Sequence, residues 1–417
     1  MSENTEKRTG TKKAAEAAGE KQRKALLDRS SPMRKSILAF RSSKILKTKQ
    51  EAEKKKAAAA AAEAEAAAVL KPEDLIGSFP SRNEGKKVEP KKAATGPVFK
   101  VGQYRLSCRN TELSKAVRQE FTKVFLKKYR KDTLDTSELG INTDTNNAYF
   151  SECPYEEHRR GLTEASFQSL LNGETDIVIH NMKEIPLDLP EGVIIAGALK
   201  REDPRDAMIT RATYGAVQEL PRNSRIGARS QRRIMQIKNL RPDLEIIPTP
   251  GPLASRIQEL DSGRLDALVV SWAGLKRLNI SPRYYVALQP EVMLPSACQG
   301  IIGILCLESN AELLQKINYI EDTESSWAAR CERAFLTKFG EFGDAPVGAN
   351  AHRKGTQDPW ILDCVIGEGE DGEVLRHREI GTSRCKPESL ADKAYTGIIA
   401  KGARKYFPFK ALSFSVD

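Results

Sequence analysis

Two adjacent arginines, Arg232 and Arg233, follow the turn Ile226-Gly227-Ala228-Arg229-Ser230-Gln231 and open a helical pattern. Guanidinium groups are planar, permanently charged and donate in pairs, which suits carboxylates and phosphates. Backbone amides at a helix start add to that attraction. The arrangement suggests a site for a small polyanion; the plain alternative is that the arginines pair with local acids. The seven cysteines (Cys108, Cys153, Cys298, Cys306, Cys331, Cys364 and Cys385) contain no C-x-x-C pair, and there are only four histidines. No metal site is expected from this set. An odd cysteine count with no secretory signal points to a reducing compartment, mitochondrial or cytoplasmic, with buried thiols.

The elements that must position such a site alternate in type. Short apolar runs at 177–179, 193–195, 268–270, 286–288 and 301–307 read as strands. Helical patterns fall at 111–129, 164–172, 230–240, 254–262 and 327–339. Strands alternating with helices predict an α/β body with largely parallel or mixed sheets. Ile234, Ile237 and Leu240 give the 230–240 helix a one-sided apolar stripe, and Pro242 closes it. No apolar run reaches the length of a membrane span.

Charge divides the chain in two. Residues 1–100 hold 24 Lys+Arg and 13 Asp+Glu, so they carry the whole net charge of +11, and the remainder is balanced. The first 49 residues are polar and basic and are expected to be disordered in isolation. The run Gln50–Leu70 is rich in Ala, Glu and Lys and predicts a helix, which Lys71-Pro72 ends. Residues 71–97 read as a linker. A basic segment of this kind can serve as an electrostatic arm for RNA or a ribonucleoprotein, here through residues 1–70, or simply as a solvated tail. From Met33, the sequence MRKSILAFRSSKILKTKQ has the composition of a mitochondrial presequence, whereas Glu3 and Glu6 argue against one starting at Met1.

Several blocks of the body, in order, resemble porphobilinogen deaminase (hydroxymethylbilane synthase). They are Arg105 to Val117, Asp176 to Pro186, Lys200 to Ala207, Ile226 to Arg233, Gly251 to Arg256, Ala273 to Leu278, Leu294 to Gly300 and Glu332 to Val347. The resemblance implies a three-domain α/β fold behind the basic extension: two periplasmic-binding-protein-like domains and a small α/β C-terminal domain. The expected boundaries are 1–97 for the extension and linker, 98–202 with 301–318 for domain 1, 203–300 for domain 2, and 323–417 for domain 3. It also implies a site for an anionic pyrrole. Arg109, Lys183, Ser230, Arg232, Arg233, Arg256 and Gln299 stand at substrate-binding positions, and Glu184 stands where the family places its catalytic aspartate.

The departures gather in the same cleft. Gly343 falls where the family's cysteine anchors the dipyrromethane cofactor, and a glycine can form no thioether. Glu184 places its carboxyl one methylene further out than an aspartate, and acid–base catalysis tolerates about 0.5 Å of misplacement. Asn181 replaces a serine, Arg229 a small residue, and Pro250 and Pro252 an arginine and an asparagine. The segment Cys153–Leu162 is a poor match to the family's flexible active-site cover. Cys298 and Cys331 are the thiols that could substitute for the missing anchor. On these grounds no cofactor is expected. Three readings stay open: a catalytically degenerate binding module, a divergent active transferase of tetrapyrrole synthesis, and a binder of anionic pyrroles without turnover.

Overall fold

The computed structural model describes residues 100–139, 155–282, 284–339, 346–368 and 373–406. The expected 50–70 helix, the linker, the presequence-like run and Gly343 lie outside the described residues. The architecture is α/β, as expected, with three separate sheets.

The first sheet begins with β1 (Gln103–Arg109), which lies between parallel β2 (Thr133–Leu139) and β3 (Ile177–Asn181). Its last two strands, β10 (Ile302–Leu307) and β4 (Val193–Ala198), run antiparallel to their neighbours and complete the order β2-β1-β3-β10-β4. Every residue of β10 is buried, which explains why it reads in sequence as an unbroken apolar run. Helix α1 (Glu112–Lys128) packs on this sheet through Val117, Phe121 and Phe125, spaced at one helical turn. The Thr111 hydroxyl caps its start by accepting from Ser114 N, and Lys127 and Lys128 complement the dipole at its end.

Helix α2 (Tyr155–Leu171) begins well before the 164–172 expected from sequence. The backbone of most of Cys153–Leu162, the segment that matches the family's flexible cover poorly, is therefore helical.

The second sheet has the order β7-β6-β8-β5-β9, with β5 (Asp206–Thr210) between β8 (Ala267–Ser271) and β9 (Tyr284–Ala287). Helix α3 (Gln231–Leu240) follows β6 (Arg225–Ala228), and α4 (Leu253–Asp261) follows β7 (Glu245–Pro248). Ile234 and Ile237 of the apolar stripe are buried and Leu240 packs beside them. A six-residue helix, α5 (Trp272–Arg277), follows β8 directly.

The chain crosses between these sheets twice, and the two crossing segments touch. Glu202 N donates to Gly300 O at 3.1 Å and Leu199 N to Ile302 O at 3.1 Å. Gly300 has φ +88°, and a Cβ there would sit 2.4 Å from Glu202 O. Only glycine fits this crossing.

After α6 (Ala311–Ile320), helix α7 (Thr323–Thr337) and helix α8 (Pro387–Ala400) cover an antiparallel sheet of β11 (Gly348–His352), β12 (Ile361–Gly367) and β13 (Val374–Ile380). Trp327 and Trp360 stack there at 3.9 Å. Arg376 on β13 donates to Gln236 Oε1 and to the carbonyls of Pro290 and Val292, tying this sheet to the second.

Candidate functional site

The site forms where the C-terminal ends of β1 and β3 meet the crossing segments and the start of α3. Arg109, the last residue of β1, donates from Nη1 to Glu184 Oε2 at 3.0 Å. Glu184 lies on the 3-10 turn Met182–Glu184 just after β3, and its other oxygen accepts from Asn181 Nδ2 at 3.3 Å. Burial raises the Glu184 pKa, but Arg109, Lys183 and His180 outweigh it and hold the carboxyl below its ordinary value. Glu184 is therefore ionised, with one oxygen committed to Arg109.

Asp206 is the second centre. It is fully buried at the start of β5 and is gripped from three sides. Arg232 Nη2 donates to its Oδ2 at 2.7 Å. Arg233 Nη2 donates to its Oδ1 at 2.7 Å, and Gln299 Nε2 to the same oxygen at 2.9 Å. Burial opposes ionisation, yet the two guanidinium groups hold the Asp206 carboxyl well below the usual range. The remaining donors are partly used as well: Arg232 Nη1 reaches Leu294 O and Arg233 Nη1 reaches Val269 O. Ser230 is the N-cap of α3 and accepts from Arg233 N at 3.3 Å, so its hydroxyl holds the helix start.

Lys183 joins the two centres. Burial pushes its ammonium down to about 8, with Arg233, Glu184, Asp206 and Arg232 as its charged neighbours. Arg256 on α4 adds an arginine without a partner. Its side chain makes no hydrogen bond or ion pair among the described residues, and its Nε is buried and unsatisfied. Burial, then Arg233 and Arg229, push it down to about 9, so it remains charged at neutral pH. Arg109, Lys183, Arg232, Arg233 and Arg256 thus gather around the two carboxylates Glu184 and Asp206. Glu259, the other acid near Arg256, lies 3.6 Å from Arg264.

The structure thus links Arg109, Lys183, Glu184, Arg232, Arg233, Arg256 and Gln299, while Ser230 has a capping role and Gly343 lies outside the described residues. Neither alternative thiol is available as a nucleophile. Cys298 and Cys331 are both buried, and burial with Glu332 nearby pushes the Cys331 thiol far up. Among the described residues no cluster suits a metal ion, and no helix is long and apolar enough to cross a membrane.

Three residues central to this geometry were not singled out from sequence: Asp206, His180 and Glu332. Asp206 had a signal, since a carboxylate heading the apolar run Ala207-Met208-Ile209 cannot be buried without cationic partners. His180 Nε2 lies 2.9 Å from Ser166 Oγ, and burial pushes the imidazole down to about 4. Its folded value lies below its unfolded one, so the unfolded chain takes up this proton first as pH falls. Stability is expected to drop by up to about 3 kcal/mol between pH 6.5 and 4, measured by urea denaturation across that window. A flat profile there would show that His180 is solvated.

Comparison with known proteins identifies the family. The family described as porphobilinogen deaminase, dipyromethane cofactor binding domain, matches residues 107–315. The porphobilinogen deaminase of Desulforudis audaxviator (strain MP104C) is 34% identical over 237 residues, 57% of this chain and 75% of that protein. That of Francisella tularensis subsp. novicida (strain U112) is 34% identical over 237 residues, 57% of this chain and 77% of the relative. Among solved structures, the periplasmic aliphatic sulphonate binding protein of Escherichia coli overlaps 57% of this chain and 70% of its own at 12% identity. The TM-score is 0.32, too low to bear on the site.

These matches overturn the expectation that no cofactor is carried. The matched domain is the one that binds dipyrromethane, which points to that cofactor rather than to none. The error was to equate the site with its covalent anchor. The orphaned Nε atoms of Arg109 and Arg256 fit an anionic group that the protein does not itself supply. By sequence match and by the cation-rich site it builds, this chain belongs to the porphobilinogen deaminase family.

Proposed function

We propose that this chain binds dipyrromethane in the cation-rich cleft through ion pairs in place of a thioether, and that it polymerises porphobilinogen slowly or not at all. The observation that carries this reading is Arg256, a charged guanidinium with no protein partner among the described residues, set beside Arg233 and Arg229. A buried cation without a counter-charge is costly, and a ligand carboxylate removes that cost.

Arg256, with its unsatisfied Nε, is the group best placed to take a carboxylate, and Lys183 adds charge beside it. Arg232 and Arg233, committed to Asp206, hold the frame and contribute charge at a distance. Glu184, ionised, can accept a hydrogen bond from a pyrrole N–H, but Arg109 already occupies one of its oxygens and fixes its reach. Dipyrromethane, when bound, supplies the pyrrole carbon to which the next unit is joined. Gly343 offers no thiol to retain it, and the buried Cys298 and Cys331 offer none in its place.

The test is mass spectrometry of the full-length protein after incubation with a free dipyrromethane carrying acetate and propionate groups, beside a turnover assay with porphobilinogen. A dipyrromethane mass is expected under native conditions and is expected to disappear on denaturation, with little or no product in a turnover assay. A mass increment that survives denaturation, or steady product formation, overturns the reading. Arg256→Leu is expected to weaken binding by about 10- to 100-fold, since a hydrogen bond to a charged group is worth roughly 1.5–3 kcal/mol. The fold should be unaffected, because no protein group loses a partner. Affinity is also expected to fall between pH 7 and 9 as Lys183 gives up its proton near 8.

A further inference from the structure

The balanced charge of the body conceals a local segregation. Between Lys123 and Lys131 the sequence KVFLKKYRK holds five cations and no acid. Lys123, Lys127, Lys128, Arg130 and Lys131 are all exposed, and none forms an ion pair among the described residues. The acids around them are engaged elsewhere. Asp132 and Glu312 both bind Lys316, Glu312 also accepts from Tyr104 Oη, and Glu120 binds Arg277.

The platform beneath these cations is rigid. Tyr129, the C-cap of α1, donates its hydroxyl to Lys316 O on α6 at 3.1 Å, and Lys316 Nζ sits 5.0 and 5.3 Å from the Tyr104 and Tyr129 ring centroids. Helix-dipole stabilisation accounts for Lys127 and Lys128 in the last turn. It does not account for Arg130 and Lys131, which lie beyond the cap.

Two further features give the surface a chemistry. Tyr319 on α6 is 75% exposed, and Lys128 Nζ lies 5.1 Å over its ring. An exposed aromatic ring among unpaired cations is what unpaired bases with a phosphate backbone require, because the ring stacks and the cations track the phosphates. In addition, the chain enters the body at this corner: Gly102 O accepts from Thr133 N at 2.8 Å, one residue beyond Asp132. The sequence before it carries the net +11. We propose that the exposed basic face formed by the end of α1, the loop 129–132 and Tyr319 is a docking surface for single-stranded nucleic acid, separate from the pyrrole site.

The test is anisotropy of a fluorescein-labelled 20-nucleotide oligouridylate with the full-length chain over a series of KCl concentrations. The variant Lys127→Gln/Lys128→Gln/Arg130→Gln/Lys131→Gln should lose at least about tenfold in affinity, and the slope of log K against log salt should fall by roughly 3, at about 0.7 per phosphate contact. Tyr319→Ala should weaken binding by about 5- to 100-fold and leave the slope unchanged, as expected for a stacking contact worth roughly 1–3 kcal/mol. Lys354→Gln/Lys393→Gln, exposed on other elements, should change neither. Because all these side chains are exposed, unchanged thermal unfolding should accompany each result. No binding by the wild type, a wild-type slope in the quadruple variant, an unaffected Tyr319→Ala, or displacement of the RNA by phosphatidylserine vesicles at equal charge would each overturn the proposal.

Discussion

Asp206→Ala is expected to destabilise the folded chain by about 3–5 kcal/mol, the cost of removing one partner from a buried ion pair. The carboxylate is fully buried and is the acid that both Arg232 and Arg233 bind, each of them buried too. Without it two guanidinium groups and the Gln299 amide lose their acceptor in a site that water does not reach. Asp206→Asn should recover part of the loss, since an amide oxygen still accepts from some of the four donor atoms. The pH dependence gives a second signature. Asp206 has a folded value below its unfolded one, so its contribution is present at neutral pH and disappears as pH falls below about 3.8. That window lies beneath the one assigned to His180. Urea denaturation of wild type and Asp206→Asn from pH 7 to 3 separates them: the two proteins should lose stability in parallel down to pH 4 and converge below it, as the wild type loses a contribution the variant lacks. A loss under 1 kcal/mol for Asp206→Ala would mean that the arginines find other partners.

How far such a site can be read from sequence depends on how far apart its partners lie. The turn before Arg232 and Arg233, the apolar stripe behind them and the fully apolar β10 are local patterns, and each was legible. The pairing of both arginines with Asp206 spans more than twenty residues and no local pattern encodes it, so the arginines were assigned to ligand when they are chiefly framework. Arg256 was legible as a cation but not as the unpaired one, because being unpaired depends on every neighbour in space. The antiparallel sheet of β11 to β13 was missed for a different reason. Its outer strand, VLRHREI, alternates weakly and is half-exposed along its length, so it lacks the apolar run of a buried strand. The cofactor was misjudged because one absent thiol was conspicuous in the sequence, whereas the distributed charge that recognises carboxylates was not.

Glu332 illustrates the same limit at the junction of all three sheets. It is fully buried on α7 and accepts four hydrogen bonds. Arg201 Nη1 and Nη2 donate at 2.6 and 3.3 Å from one crossing segment, Cys298 N donates from the other, and Ala351 N donates at 2.7 Å from β11. Cys298 is a non-glycine residue at φ +61°, a conformation that needs outside support. Glu332→Ala removes that support and leaves Arg201 and two backbone amides without an acceptor. The expected cost is about 3–5 kcal/mol, or roughly 5–8 °C in melting temperature for a folded body of this size. Arg201→Met/Glu332→Leu should recover only part of it. Apolar replacement cancels the charge penalty but leaves the amides of Cys298 and Ala351 unsatisfied, at about 1–3 kcal/mol each. A double-mutant cycle by thermal unfolding measures the division. If the double variant returned to wild-type stability, the ion pair alone would explain the loss and the backbone amides would have no part in it. If it were as unstable as Glu332→Ala, the amides would carry the effect, and Glu332 would act chiefly by holding the crossing at Cys298 in place.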